Sequence, residues 1–446
     1  MKRFIRNLSH VQIIALGFAI LILVGTGLLM LPFSVTEGQS VTLLDAVFTA
    51  TSASCVTGLI TVDTGTVWSP FGQGVILFLI QIGGLGFMTI ATLFYIAFRK
   101  KMGLRQKEVM SESINSSGIG GLFKMARTIF AGTLIFEGIG ALILTLRFYF
   151  RYGFPLGKAL WFGIFHAVSS FCNAGFDING NFASFSDYHS DWIICSVLIV
   201  MILLGGLGFF VWAEIRQKGF HLRRYNLHTK IVLSMSCILV FIPAVLFFIL
   251  EADASHNDLG FFDSILASLF DAVSPRTAGM NITDTASLSN GGFLITIILM
   301  FIGGNPSSTA GGIKTTTLAV LVLFAVSTVR KSRYTGVFGK RIRQEDVHKA
   351  LCVFFVNLSL VILGVFSICA TQPSLPLRDV IFEVFSAMGT VGMSFGTTRE
   401  LGLLSKIVII ILMYAGRVGS ISFGSALMEK KAPPPVMAPY ENITIG

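Results

Sequence analysis

Four short segments of this 446-residue chain close on a glycine, and the residues around each glycine offer backbone oxygen rather than acids or nucleophiles. They run Phe48 to Gly58, Phe165 to Gly175, Leu269 to Gly279 and Phe382 to Gly392. Aligned on the glycine, each carries a large apolar residue ten positions earlier. Each has a serine five or six earlier (Ser52, Ser169 and Ser170, Ser274, Ser386), and Cys55, Cys172, Arg276 or Gly389 three earlier. An apolar residue always follows: Leu59, Phe176, Met280, Met393. A dehydrated cation needs oxygen ligands, and rings of backbone carbonyls supply them. Turning successive carbonyls inward requires a residue that accepts positive φ, which glycine does without a Cβ penalty. The expected ligands are therefore Val56, Thr57 and Gly58; Asn173, Ala174 and Gly175; Thr277, Ala278 and Gly279; Thr390, Val391 and Gly392. No carboxylate lies within four residues of any of these glycines except Asp177, so a carbonyl site, not a carboxylate site, is expected.

A second signal follows each loop in the next apolar span. Gly83-Gly84-Leu85-Gly86-Phe87 and Gly205-Gly206-Leu207-Gly208-Phe209 match residue for residue; Gly303-Gly304 is the third case and Ala415-Gly416 the degenerate fourth. Close helix packing accounts for such pairs. Two signals recurring four times in one order make an internal repeat. The third span departs from the others: Gly303-Gly304-Asn305-Pro306-Ser307-Ser308-Thr309-Ala310-Gly311-Gly312-Ile313-Lys314 cannot hold a straight helix in lipid. Such backbone survives at membrane depth only beside a cavity. Asn305, Pro306, Ser307, Ser308, Thr309, Gly311, Gly312 and Lys314 are the expected gate, against a simple kink. Arg417 stands in the last apolar helix where the first two repeats have leucine. A mid-membrane arginine faces a pore or a partner acid; the pore is favoured here over pairing with Glu383 or Glu137. Glu137 also needs a partner that the sequence does not name. His166 and Arg276, inside the short segments, are expected to brace the loops by hydrogen bonds rather than touch ions.

These loops need a scaffold, and the composition says it is apolar. The chain is 53% hydrophobic and 13% charged, with mean hydropathy +0.78; soluble domains carry roughly 25% charged residues. The runs 11–31, 71–98, 193–212, 231–250 and 351–370 hold no Lys, Arg, Asp or Glu and are long enough to cross a bilayer. The first, preceded by Lys2, Arg3 and Arg6, is read as a retained helix rather than a cleaved signal. The short segments between spans read as re-entrant helices whose C-terminal dipole ends face the ion. Four units result, 8–110, 120–220, 228–335 and 345–430, with a tail 431–446 in which three consecutive prolines preclude helix. The expected fold is an all-α membrane protein: four repeats of outer helix, pore helix and inner helix, eight transmembrane helices around one central pore.

Net charge is +10, but the basic residues gather in alternate gaps (99–107, 216–230, 330–349), with acids in the others. This positive-inside pattern places both termini and the basic gaps in the cytoplasm, with Arg147, Arg151 and Lys158 as exceptions. It argues for a membrane-lipid neighbour and against nucleic acid. Metalloprotease and serine-hydrolase motifs are missing, no paired Asp lies within a span, and the glycines Gly118, Gly120 and Gly121 lack the strand of a nucleotide-binding turn, so no enzyme is expected. The six cysteines show no paired spacing and read as small apolar residues. A cation-coupled secondary transporter is the alternative function, disfavoured because such folds use two inverted halves around one charged midplane site.

The loops at Val56 to Leu59, Asn173 to Phe176, Pro275 to Gly279 and Thr390 to Gly392, with the helices around them, resemble the Ktr/Trk/HKT superfamily of potassium uptake proteins, and in length most of all its bacterial Ktr membrane subunit. The resemblance implies K⁺ as substrate, a possible Na⁺ involvement and potassium selectivity with glycine at all four filter positions. It also implies a gating intramembrane loop, the Arg417 position as part of that gate, and a bacterial inner-membrane location. It implies no cofactor on this chain, a homodimer with one pore per protomer, and a cytoplasmic RCK-type nucleotide-binding ring through which ATP and ADP act. The tail's Ile443 and Ile445 are expected at the dimer interface rather than disordered.

Overall fold

A computed structural model describes residues 10–86, 122–219 and 221–419. The N-terminal cations, Phe87, the basic gap 99–107, Gly118, Gly120, Gly121, Lys430, Lys431 and the tail lie outside the described residues.

Long apolar runs become helices α1 (His10–Leu29), α4 (Leu122–Tyr152), α8 (Leu227–Leu250) and α12 (Gln344–Thr371). Among the described residues these four contain the helical stretches long and apolar enough to cross a membrane unaided. Each is followed by a short helix: α2 (Leu43–Cys55), α5 (Leu156–Cys172), α9 (Phe261–Val273) and α13 (Leu377–Gly389). Each short helix is followed in turn by a third: α3 (Pro70–Leu85); α6 (Trp192–Leu207) with α7 (Phe209–Lys218); α10 (Asn290–Phe301) with α11 (Thr315–Val329); and, after the one-turn α14 (Thr397–Glu400), α15 (Leu403–Val418). The described strands are limited to the two-residue hairpin β1 (Gly336–Val337) and β2 (Lys340–Arg341).

Burial is distributed as lipid solvation demands. The short helices bury polar side chains, among them Thr49, Thr51, Ser52, Ser54, Ser169 and Ser170. The long helices turn Leu23, Leu134, Ile139, Phe241, Ile242 and Phe366 outward. A polar centre inside an apolar surface inverts the soluble-protein rule and suits a bilayer. Helix starts are fixed locally. Thr42 accepts the Asp45 N–H, while its hydroxyl donates to Asp45 Oδ2. Ser69 caps α3 ahead of Pro70, and Asp191 accepts from the N–H groups of Ile193 and Ile194 at the start of α6.

Two expectations are corrected here. Spans 71–98 and 193–212 were expected to run unbroken, yet α3 ends at Leu85 and α6 bends by 92° into α7. Gly86, Gly208 and Gly419, each three residues past the first helix-packing glycine (Gly83, Gly205, Gly416), take φ of 83°, 96° and 96° with ψ near 130°. No α-helix continues through that conformation. The third inner helix is thus not alone in being broken; it is the one in which residues 302–314 separate the two halves. Of the charge-pattern exceptions, Arg147 donates to Asp191 at 2.8 Å and the Lys158 ammonium lies over the Phe154 ring, so both are held locally.

Candidate pore-loop site

The four loop glycines stand around one point. A methyl group on Gly58 would lie 2.6 Å from the Ala174 carbonyl oxygen, and one on Gly175 3.0 Å from that of Ala278. One on Gly279 would overlap the Val391 oxygen, and one on Gly392 the Thr57 oxygen, which closes the circuit. Each contact runs from one loop to the next, first to second, second to third, third to fourth, fourth to first. All four glycines have positive φ, 91°, 71°, 74° and 99°. So do Val56, Asn173, Thr277 and Thr390 two residues earlier, whereas the residues between them do not. Alternation of sign turns successive carbonyls the same way. The carbonyls of Thr57, Ala174, Ala278 and Val391 therefore form a ring with no room for a side chain at its glycines.

The short helices end just short of this ring. Val56, Asn173 and Thr390, in left-handed conformation, terminate α2, α5 and α13, while α9 stops at Val273 and continues as a turn. The glycines do not themselves close these helices, as the sequence suggested; they lie three residues further on, or six after α9. The recurring serines, for which sequence reasoning assigned no role, fasten the loops. Ser52 and Ser386 accept the N–H of Gly58 and Gly392 at 3.0 Å. Ser169 donates to the Phe176 carbonyl at 2.5 Å and Ser274 to that of Met280. Their spacing was the signal, since a hydroxyl one turn inside a helix reaches a backbone group just beyond its end. His166 does brace its loop, accepting the Ile178 N–H at 3.2 Å. Arg276 does not: it is 6% exposed, its Nε has no hydrogen-bond partner, and it lines a cavity instead.

The predicted gate residues come together beneath the ring. Asn305 donates through Nδ2 to Gly206 O at 2.8 Å and to Ser236 Oγ at 3.1 Å, and its oxygen accepts from Thr315. Ser308 Oγ donates back to Asn305 O. Thr309 Oγ1 lies 3.1 Å from Phe171 O and 3.3 Å from Asn173 Oδ1, so the segment touches a loop residue of the second unit directly. The Ser307 carbonyl accepts the Phe209 N–H at 2.8 Å, and Pro306 O faces Gly208. A methyl on Gly311 would overlap Thr390 Oγ1, and one on Gly312 would lie 3.2 Å from Gly389 O. Lys314 Nζ donates to Ala310 O at 2.7 Å.

Arg417 binds no acid. Its guanidinium donates to Thr309 O on one side and to the carbonyls of Gly83 and Gly84 on the other. The pairing with Glu383 or Glu137 is absent because both carboxylates are already engaged. Glu383 accepts from Ser394 and Thr398. Glu137, unassigned by sequence, accepts from Gln81 at 3.2 Å and lies 3.8 Å from Cys172 Sγ. No disulfide forms among the six cysteines, and no His, Cys, Asp and Glu cluster able to hold a metal ion occurs among the described residues.

Four buried loops of carbonyl-rich backbone, each following a short helix inside an apolar helical shell, have the architecture of a membrane protein, and their oxygens offer the ligands that suit a cation. The chain belongs to the TrkH family of cation transport proteins, whose sequence profile matches residues 4–432. It is similar to the potassium/sodium uptake protein NtpJ of Enterococcus hirae, 41% identical over 100% of this chain and 99% of that one. It is also similar to the Ktr system potassium uptake protein B of Bacillus subtilis, 40% identical over 92% and 91%. The fold matches the crystal structure of the potassium transporter TrkH from Vibrio parahaemolyticus with TM-score 0.77, 19% identity, 95% of this chain and 86% of that one. A family of cation transport proteins accords with the expectation that this chain is not an enzyme.

Proposed function

We propose that this chain takes up potassium across the bacterial cell membrane through a filter made by residues 56–58, 173–175, 277–279 and 390–392. The observation that carries the reading is the closed circuit of glycine-to-carbonyl contacts, which leaves one axis, ringed by oxygen, at the C-terminal ends of three short helices. Those ends add partial negative charge, about −0.5 each, so a cation loses its water with no carboxylate present. Potassium as the substrate is supported by the names of the relatives, one of which also names sodium. Residues 302–314 and Arg417 are the gate, supported by their position under the ring and their ties to three inner helices. The four units are 8–110, 120–220, 228–335 and 345–430, with both termini cytoplasmic. Relatives named as proteins of the Ktr system support a membrane component that works with others. On this reading the chain is a homodimer whose cytoplasmic nucleotide-binding ring, responding to ATP and ADP, acts on the gate.

Gly58→Ser tests the filter. A serine at φ 91° carries a backbone cost of about 1–2 kcal/mol and pushes on Ala174 O. About 1.4 kcal/mol of lost potassium preference is tenfold in selectivity. Competition of Na⁺ against ⁸⁶Rb⁺ uptake in proteoliposomes should reveal that loss; unchanged selectivity in a folded variant removes the assignment.

A further inference from the structure

Between α6, α8 and α9 lies a cavity of about 350 Å³, at the small end of ligand pockets. Its walls are mostly aliphatic, and its polar lining is Asn173, Ser236, Arg276 and Asn305. Its mouth is marked by Cys237, which is exposed, and Phe241, 65% exposed. Both sit halfway along α8, a span, so the mouth opens on hydrocarbon rather than on water. Arg276 is 94% buried by its 6% exposure, and no described residue offers it a carboxylate. A buried charge without a partner is costly. The second unit solves the matching position differently. There Cys172, also three residues before the loop glycine, is surrounded by Gln81 and Glu137. The third unit has a cation and an empty volume where the second supplies an acid.

We propose that this cavity is a binding site for a long-chain carboxylate from the bilayer, its head on the Arg276 guanidinium and its tail along the aliphatic walls to Phe241. The two oxygens of a carboxylate match the guanidinium fork. A phospholipid phosphate is a poor occupant, because it stays ionised and its headgroup is held at the interface, about half of the ~30 Å hydrocarbon thickness away, whereas a fatty acid can enter the hydrocarbon in its neutral, protonated form. The bound head adjoins Asn305, which is tied to Gly206 and Ser236, so occupancy fastens the intramembrane segment. That last consequence alone rests on reading 302–314 as the gate.

Cys237 at the mouth reports occupancy. The full chain carrying Cys352→Ser, which removes the other exposed thiol, is placed in phosphatidylcholine liposomes and labelled with an apolar maleimide. Oleate should slow Cys237 labelling about tenfold relative to oleyl alcohol, the worth of a charge-assisted pair. Arg276→Gln should erase the difference, and Val240→Phe, which fills the cavity without touching the arginine, should do the same. Equal protection by acid and alcohol overturns the proposal, as does protection that survives Val240→Phe or a folded Arg276→Gln. Protection by phosphatidylglycerol equal to that by oleate also overturns it, since the headgroup argument then fails. ⁸⁶Rb⁺ flux is read in parallel. Labelling that behaves as expected while oleate leaves flux unchanged keeps the site and counts against the gate.

Discussion

Arg417→Gln is the perturbation that most directly tests the proposal that Arg417 and residues 302–314 hold the pore shut. The guanidinium spans two elements, with one donor on Thr309 O of the intramembrane segment and others on Gly83 O and Gly84 O at the end of α3. Hydrogen bonds from a charged donor are worth about 1.5–3 kcal/mol. Losing the single tie to Thr309 therefore raises the population of a displaced segment by roughly 10- to 150-fold, at 1.4 kcal/mol per factor of ten. Water reaching the freed carbonyl from the pore recovers part of this, so the lower end is expected, about a tenfold rise in ⁸⁶Rb⁺ flux into proteoliposomes. Charge and bridging are separable. Lysine keeps the charge but is a point donor without the planar fork, and on the latch argument Arg417→Lys conducts nearly as fast as Arg417→Gln. If Arg417→Lys behaves as wild type while Arg417→Gln is fast, the arginine acts as an electrostatic barrier alone. If a folded Arg417→Gln conducts no faster than wild type, the reasoning is refuted.

Two further outcomes are expected. Deleting residues 305–312 should raise flux and make it independent of any cytoplasmic partner; a folded deletion with wild-type flux would reduce the segment to a kink. Asp191, at the start of α6 and outside the span, is buried, which raises its pKa, but Arg147, the Ile194 N–H and Tyr152 outweigh this and hold it below the ordinary carboxylate range. A depressed acid contributes stability that is present above its unfolded pKa near 4 and lost as pH falls through the folded value. Asp191→Asn keeps the helix cap, since asparagine caps as well as aspartate, but weakens the bonds from Arg147 and Tyr152; it should cost about 1–3 kcal/mol in thermal unfolding at pH 7, and the gap to wild type should narrow toward pH 3.

The loops were legible because their chemistry is written in contiguous residues. A glycine, a hydroxyl five or six residues earlier and an apolar residue after it survive fourfold comparison. What was not legible depends on contacts between units. Glu137 could not be paired from sequence because its partners, Gln81 and Cys172, come from two other helices. Arg417 was read as facing a pore rather than pairing with an acid, but the three carbonyls that hold it, on Thr309, Gly83 and Gly84, come from other units and could not be named from sequence. Arg276 was misread because a polar residue just past a short helix ordinarily finds a partner, and this one meets a cavity. The break in the third inner helix was expected, but the stops at Gly86, Gly208 and Gly419 were missed. The third glycine of the Gly-Gly-Leu-Gly pattern was counted with the packing pair, and hydropathy runs smoothly through it.

That third glycine links the repeat to the segment proposed as the gate. A helix that stops leaves its last carbonyls without intrahelical partners. The stops at Gly86 and Gly208 leave the carbonyls of Gly84, Gly205 and Gly206 without a helical partner, and that of Gly83 with only the Gly86 N–H at 3.3 Å. Arg417 takes those of Gly83 and Gly84, while Thr309 N–H and Asn305 take those of Gly205 and Gly206. The same four-residue pattern thus performs two tasks. Its first glycine admits the short helix, as Gly83 does against Ser54 O and Gly205 against Phe171 O; its last exposes acceptors one turn below. A pore with four identical inner helices would present those acceptors to nothing. Because the third helix lengthens its break into residues 302–314 and the fourth carries Arg417 directly after Gly416, where the first two have Gly84 and Gly206 rather than the leucine that the sequence alignment suggested, donors meet acceptors from other units. On the proposed function, the departure from fourfold symmetry, rather than the symmetry, is what gives this ring of carbonyls something to close it.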